Sequence, residues 1–463
     1  MKPSRELLVL VLAAGLGTRM KSSISKVLHK LNGKPMISHV LETTDKLKPA
    51  KTLIVAGRHN MRELKAMFPD REIALQGNPL GTAHAVLCGV KRLNDFNGDL
   101  LVLNGDTPLI TAETIKGFIS RHRRARNHLS IISFMASDPT GYGRIIRDRR
   151  KTPILIREEK DASPSEREIR EVNSGVYLIK GDALGLLKRI KKNPLKGEYY
   201  LTDILELAHL KGYRCGVYPL GVEEEFLGIN TKEELLRAQR LLRQRIVMKW
   251  VERDVAFIDE ERVYISADAV IGPGTTIYPG VHIEGKTSIG KGCVIYPNVR
   301  IADSQIGDGV QLKDSSVIES ALIDSDVVVG PFARVRPGSV IKKSARIGNF
   351  VEIKASVIGE GTKAQHLSYI GDAEVGEDVN VGAGTITCNY DGEKKHKTII
   401  EKGVFIGSDT QFVAPVRIGR CSYIGAGSTI TEDVPEFSLA LSRVRQKNLK
   451  NWVKKRKKTR KGC

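Results

Sequence analysis

Residues 265–301 read ISADAVIGPGTTIYPGVHIEGKTSIGKGCVIYPNVRI, with Ile265, Ile271, Ile277, Ile283, Ile289, Ile295 and Ile301 recurring every six residues. Glycine often follows the apolar residue, and small residues sit three further on. A glycine-rich period of six is the signature of a hexapeptide β-helix, in which each coil stacks one apolar side chain per face into a continuous interior ladder. An ordinary sandwich with coincidental spacing does not survive seven consecutive matches. Beyond Ile301 the phase slips by one and resumes at Ile306, Leu312 and Ile318. It slips again to Ile323, Val329, Val335, Ile341, Ile347 and Ile353, and later runs Ile400, Ile406, Phe412, Ile418, Ile424 and Ile430. The ladder is expected to break between Val381 and Ile400, where Gly382 to Lys397 forms an extruded loop. Such a loop has little structural reason to exist in a regular solenoid, so it is a functional candidate.

Upstream, residues 1–232 follow a different grammar. Short apolar runs at Leu7–Leu12, Thr52–Ala56 and Leu100–Asn104 alternate with helical patterns such as Met36–Leu47 and Gly81–Leu93. This predicts an α/β domain with a mostly parallel, Rossmann-like sheet and ligands at the carboxyl ends of its strands. The apolar run Leu7–Ala14 is too short for a membrane span, follows an acid, and reads as a buried strand rather than a signal-peptide core. A linking helix over 233–253 is expected from the stripe Leu235, Leu236, Ala238, Leu241, Leu242, Ile246, Val247, Trp250 and Val251. Thr231 with Glu234 forms its capping box. The remainder, 254–463, is the β-helix with a basic tail.

The chain has 463 residues, 41% of them apolar and 27% charged, which is the composition of a soluble multidomain protein and excludes collagen, coiled coil and wholesale disorder. Its 74 Lys and Arg against 53 Asp and Glu give a net charge of +21, a field that favours anionic partners. Six scattered cysteines without a CxxC spacing point to a reduced, cytoplasmic protein without a zinc site.

After the first strand comes Leu12-Ala13-Ala14-Gly15-Leu16-Gly17-Thr18-Arg19-Met20, with Lys26 following. Glycines let backbone N–H groups approach phosphates, and two cations beside them suit a triphosphate and stabilise charge on a departing pyrophosphate. The run is neither a Walker A loop nor a dinucleotide fingerprint, because the second or third glycine of each is missing. The second half carries Arg334-Val-Arg336-Pro-Gly, Glu352-Ile-Lys354, Lys363-Ala-Gln-His366-Leu-Ser-Tyr369 and Asn389-Tyr390. His366 is a candidate general base, since imidazole titrates near neutrality and an amine nucleophile must lose a proton.

These motifs together resemble the family of bifunctional N-acetylglucosamine-1-phosphate uridylyltransferases/glucosamine-1-phosphate N-acetyltransferases, over nearly the whole chain. The resemblance implies a left-handed coil for the β-helix. It implies nucleotide and sugar-phosphate contacts at Leu12, Ala13, Ala14, Gly15, Lys26, Gln76, Gly81, Thr82, Asn104, Gly105, Asp106, Gly141, Glu158, Asn173 and Asn230. Mg²⁺ would be held by Asp106 and Asn230, with Arg19 and Lys26 catalytic alongside His366. Arg336, Lys354, Tyr369, Asn380 and Asn389 match contacts to the acetyl acceptor. Ala383, Asn389, Tyr390, Ser408, Ala426 and Arg443 match the acetyl-CoA site. The substrates implied are acetyl-CoA and glucosamine-1-phosphate, then UTP and N-acetylglucosamine-1-phosphate, in a homotrimer. Ser25 precedes Lys26 where the family usually has proline, so the φ restraint of a proline is missing there. That bears on loop rigidity, not on the reaction.

Three alternatives stay open at the level of sequence. The β-helix only oligomerises or regulates a nucleotidylyltransferase. The +21 charge marks a nucleic-acid binder, although no RNA or DNA module is recognisable. Cys388, beside the second site, carries the acetyl group covalently, where the resemblance implies direct transfer. In the tail, helix is expected over Asn448–Lys455, followed by a solvated, mobile basic run.

Overall fold

The computed structural model describes residues 6–93, 96–194 and 197–459, with side chains through 456. The chain divides into two compact units, Met1–Leu242 and Arg243–Cys463.

The first unit is built on seven strands: β1 Leu7–Ala13, β2 Lys51–Gly57, β3 Glu72–Gln76, β4 Asp99–Asn104, β5 Leu129–Met135, β6 Glu171–Lys180 and β7 Cys215–Pro219. Their order in the sheet is β7-β5-β6-β4-β1-β2-β3, and an antiparallel hairpin, Arg144–Arg147 with Pro153–Arg157, joins β6. All neighbours are parallel except β6, which runs against both β4 and β5. The expected mostly parallel sheet is therefore present. Burial on both faces explains the unbroken apolar runs. Leu8, Leu10, Leu53 and Val102 enter one core, while Val9, Val11, Ile54 and Leu101 enter the other. The strand order reverses between β1 and β4, and such a switch point opens a crevice outside the strand ends.

The long helix spans Lys232–Val251 and begins with the expected capping box: Glu234 N donates to Thr231 Oγ1, and Thr231 N donates to Glu234 Oε2. Part of the expected stripe is not buried, for Leu236 and Val251 are exposed.

The second unit is a triangular coil. Three sheets of parallel two- to four-residue strands run along it, with eleven, ten and nine strands among the described residues. They are named here the first, second and third faces, beginning at Ala256–Phe257, Tyr264–Ile265 and Val270–Ile271. This is the left-handed parallel β-helix expected from the sequence. Every ladder residue named above from Ile265 to Ile430 is buried. The phase slips have one location. Between Ile265 and Ile430, each missing residue falls on the corner from the second face to the third: Ile301 to Ile306, Ile318 to Ile323, Ile353 to Ile358 and Ile370 to Val375. Over that span the other two corners keep their spacing.

The expected break is narrower than the sequence indicated. Gly382–Cys388 belongs to a regular coil, in which Thr387 takes the interior position and donates to Gly371 O at 3.0 Å. A small hydroxyl can hold a ladder position when its hydrogen bond is satisfied inside, and an apolar pattern search passes over it. Only Asn389–Lys397 is extruded, at that same second-to-third corner. It forms a hairpin pinned by the Tyr390–Lys395 bridge and by backbone N–H groups of Glu393 and Lys394 on Asp391 Oδ1.

Toward the carboxyl end the helix lies at Trp452–Thr459, four residues later than expected at each end. Residues 460–463, the last of the anticipated mobile run, lie outside the described residues.

Candidate functional sites

The register pair Leu12–Asn104 brings the end of β1 beside the end of β4, and Gly105 N donates to Leu12 O at 2.8 Å. A cleft of about 550 Å³ opens there. Among the expected residues it is lined by Leu12, Ala13, Ala14, Gly15, Arg19, Lys26, Gln76, Gly81, Thr82, Asn104, Asp106, Glu158 and Asn230. Gly17 adopts φ +63°, and a Cβ on it would lie 2.6 Å from Lys26 Cβ, so the glycine lets the lysine stem pack against the loop. Lys26 Nζ donates to Asp106 Oδ2 and, at 3.1 Å, to Asn230 Oδ1. Asn230 is fixed for this by two bonds: its own N–H donates to Glu234 Oε2, and its Nδ2 to Gly228 O. Ile229 N donates to Asp106 O at 2.9 Å, joining the two segments. Two hard oxygen donors thus converge on one cation. A carboxylate plus an amide oxygen, with room for phosphate oxygens, fits a divalent ion of the Mg²⁺ type.

Gly105, Gly141 and Asn173 do not line this cleft. Gly105 serves the backbone contact just described. Gly141 N donates to Glu159 Oε2 at 3.2 Å, and Asn173 bridges Tyr177 Oη and Gly175 N.

On the β-helix, corresponding positions of successive coils stack. Asn349 pairs with His366, Gly384 N donates to Leu367 O, Asp409 N to Ala383 O, and Gly427 N to Ser408 O. His366, Ala383, Ser408 and Ala426 therefore form one column along the corner between the first and second faces. Arg443 Nη1 donates to Ala426 O at its far end. His366 is exposed, and its Nδ1 lies 3.4 Å from Asn349 Oδ1.

A polar cluster sits on the second face and its corner hairpin. Arg336 pairs with Glu352 at 2.7 Å, Lys354 with Asp372 at 3.8 Å, and Asn389 Nδ2 donates to Asp372 Oδ2. The hairpin delivers Lys395 against Lys354, and the closeness and repulsion of that second ammonium hold the Lys395 ammonium below the usual lysine range. Tyr369 pairs with Glu352 in the neighbouring coil. Asn380 is exposed on the first face, opposite Lys363, apart from this cluster in the sheet order. Tyr390 Oη caps Gly392 O within the hairpin. The cluster can hold a dianion, and the column beside it can hold a long thin ligand.

Residues 9–157 match the family model of a MobA-like NTP transferase domain, 260–339 that of a GMPPB C-terminal domain, and 397–432 that of six bacterial transferase hexapeptides. The chain is 50% identical over 452 residues to the bifunctional protein GlmU of Thermodesulfovibrio yellowstonii, covering 97% of this chain and 99% of that one. It is 48% identical over 450 residues to GlmU of Thermotoga maritima, with the same coverages. It is 46% identical over 445 residues to GlmU of a Geobacillus species, covering 96% of each.

The chain belongs to the GlmU family. GlmU proteins are bifunctional enzymes of UDP-N-acetylglucosamine synthesis, and this chain carries both the nucleotidyltransferase and the hexapeptide acetyltransferase domain. The regulatory-only reading of the β-helix is thereby set aside. Nucleotidyl transfer of this kind uses a divalent metal and UTP, and the second domain uses acetyl-CoA. Hexapeptide repeats point to an oligomer. Among the described residues no helix is long and apolar enough to cross a membrane.

The structure adds to this GlmU cleft eight residues outside the expected set: Leu16, Gly17, Thr18, Val27, Pro79, Ala85, Glu198 and Tyr200. The last two arrive because Tyr199 N donates to Leu80 O and Ala83 N to Tyr199 O, closing residues 197–201 over the Gly81 turn. The adjacent tyrosines beside an acid in Gly197-Glu-Tyr-Tyr200 were the available signal. Ser25 has a substitute for proline's stiffness. It is 8% exposed with φ −55°, and its hydroxyl accepts from Nδ2 of the fully buried Asn60, which also donates to Ala13 O. Side chain thus replaces ring in tying the Lys26 segment to β1.

Proposed function

We propose that the column residue His366 takes a proton from the amine of glucosamine-1-phosphate as that amine attacks the thioester carbonyl of acetyl-CoA, expelling CoA. Arg336, Lys354 and Tyr369 hold the sugar phosphate, with Asn380 and Asn389 on the sugar. Ala383, Tyr390, Ser408, Ala426 and Arg443 seat the cofactor along the corner. The observation that carries this is the column itself, because small side chains on successive coils line up along the corner with the imidazole of His366. The crowded ammonium pair of Lys354 and Lys395 supports a phosphate nearby. Cys388 as acetyl carrier is the second reading, and an acetyl-enzyme formed without sugar would establish it.

In the first cleft, a phosphate oxygen of N-acetylglucosamine-1-phosphate attacks the α-phosphorus of UTP in line, and pyrophosphate leaves. The attacking group is already an anion, so no base is required. Arg19 and the loop N–H groups steady the departing charge, and Lys26 bridges to the phosphates. Gln76, Gly81 and Thr82 meet the uracil and Glu158 the sugar phosphate, with Asn173 and Gly141, which the family resemblance puts at the sugar, beyond the cleft lining. Asp106 and Asn230 would hold Mg²⁺, which when bound neutralises reacting oxygens.

The assembly proposed is a trimer in the cytoplasm. Phe332 and Phe350, stacked at 5.5 Å and exposed on the His366 corner, supply an apolar edge for neighbouring coils. The test supplies glucosamine-1-phosphate, acetyl-CoA, UTP and Mg²⁺ together. UDP-N-acetylglucosamine, CoA and pyrophosphate are expected. Omitting acetyl-CoA should stop nucleotide-sugar formation, and pyrophosphate release unaffected by that omission refutes the order.

A further inference from the structure

We infer that His84, which does not line the cleft, is a positioning residue that sets base selectivity by locking the Gln76 amide in one orientation. The inference rests on the reading of the cleft as a UTP site and names the device behind its choice of base.

Gln76 is 5% exposed yet borders the cleft. Its Nε2 lies 3.0 Å from Gly81 O and 3.2 Å from His84 Nδ1. A carbonyl oxygen only accepts, so Gly81 decides which end of the amide is nitrogen. Turning the amide over would set Oε1 against that carbonyl. With one amide hydrogen on Gly81 O, the second points at His84 Nδ1, which must then be the unprotonated ring nitrogen. The proton of neutral His84 is consequently on Nε2, facing Cys88 Sγ at 3.8 Å one helical turn on. Burial pushes the Cys88 thiol up, although Lys91 opposes the shift, so the sulfur meets this N–H as a weak neutral acceptor.

Both amide hydrogens of Gln76 are thereby occupied, and Oε1 has no partner among the described residues. What Gln76 presents to a base is an acceptor alone. An acceptor recognises a ring N–H, which uracil carries at its imide nitrogen and cytosine lacks. The backbone makes the arrangement rigid. Gly81 adopts φ +100°, and a Cβ there would lie 2.5 Å from Tyr199 O, so the carbonyl that reads Gln76 sits in a turn closed to other residues.

The experiment compares kcat/KM for UTP and CTP, with N-acetylglucosamine-1-phosphate as acceptor, in the wild type, His84→Leu and His84→Asn. Acetyl transfer and the melting curve serve as folding controls. In His84→Leu the UTP-over-CTP preference should fall by about tenfold, the equivalent of one neutral hydrogen bond, mainly through KM. His84→Asn, whose side-chain oxygen can accept in place of Nδ1, should recover most of it. Undiminished preference in a folded His84→Leu overturns the role of His84 alone. Absence of a UTP preference in the wild type overturns the reading of the cleft as well. A second measurement needs no destabilising variant. In ¹⁵N-histidine-labelled wild type, the His84 ring signals, assigned by their loss in His84→Asn, should show the Nε2–H tautomer, and an Nδ1–H tautomer refutes the lock.

Discussion

Replacing Ser25 by alanine removes one oxygen and leaves a buried donor short of a partner. Asn60 is fully buried, and its Nδ2 divides its two hydrogens between Ala13 O at 2.9 Å and Ser25 Oγ at 3.0 Å. Stranding a buried donor costs about 1–3 kcal/mol. For a unit as large as Met1–Leu242, each kcal/mol lowers the midpoint by about 2–4 °C. The calorimetric midpoint of this unit in Ser25→Ala should therefore drop by roughly 2–12 °C. Ser25→Pro loses the same oxygen. The φ of −55° already suits a proline, so restricting the unfolded chain returns about 0.4–1 kcal/mol. Its midpoint should fall between alanine and wild type. Because Lys26 is the next residue, pyrophosphate release should follow the same order, while acetyl transfer stays constant. If alanine, proline and serine melt together, the hydroxyl does not fasten the loop and the reasoning fails.

Asp106→Asn should abolish UTP-dependent pyrophosphate release yet leave acetylation of glucosamine-1-phosphate intact; loss of both in a folded protein would refute separate sites. His366→Ala should lower acetylation by ~10²–10⁴-fold while uridylyl transfer to supplied N-acetylglucosamine-1-phosphate persists, and near-normal acetylation moves the base elsewhere. Asp203 is raised to about 6 by burial and by Glu206, Glu158 and Asp161. The folded chain then binds this proton more tightly than the unfolded one, whose carboxyl titrates near ~3.9. Stability should thus decline as pH rises from about 4 to 6 and stay lower above, so Asp203→Asn should raise the melting temperature at pH 7.5 and flatten that decline. Truncation after Val453 should leave turnover at saturating acetyl-CoA unchanged but weaken the low-salt dependence of its apparent affinity, since exposed charge acts over about 10 Å at 0.1 M salt; an unaltered salt dependence together with lost RNA retention refutes cofactor steering.

The β-helix was legible because its interior admits one side chain per short strand, which turns packing into a strict count along the chain. Even the slips at Ile306 and Ile323 were readable, though not that they share a corner, since only pairing between coils shows that. Thr387 escaped because its hydroxyl is satisfied by a carbonyl sixteen residues away in the previous coil. In the first unit the glycine loop was readable because its residues are contiguous. Asp106 and Asn230 came only through family resemblance, for their convergence depends on backbone bonds between distant segments. Glu198, Tyr200 and the Ser25–Asn60 bond were hidden for the same reason. The exposure of Leu236 shows the reverse limit: a helical stripe marks what can be buried, not how much of it finds a partner.

The single irregular corner of the solenoid gives the fold an editable margin. Two corners are held to a fixed spacing by the sheets they join, whereas the path from second face to third contracts by one residue or swells into the hairpin Asn389–Lys397 without displacing a ladder side chain. Loop closure grows costlier only slowly with length, so chain can be spliced in or out there while the scaffold keeps its pitch. Asn389, Tyr390 and Lys395 all ride on that splice. Part of the proposed acetyl-transfer site is thus carried on an exchangeable fitting, and a hairpin of different length and charge, transplanted to this corner in a related solenoid, should change which acceptor is bound while the coil beneath melts as before.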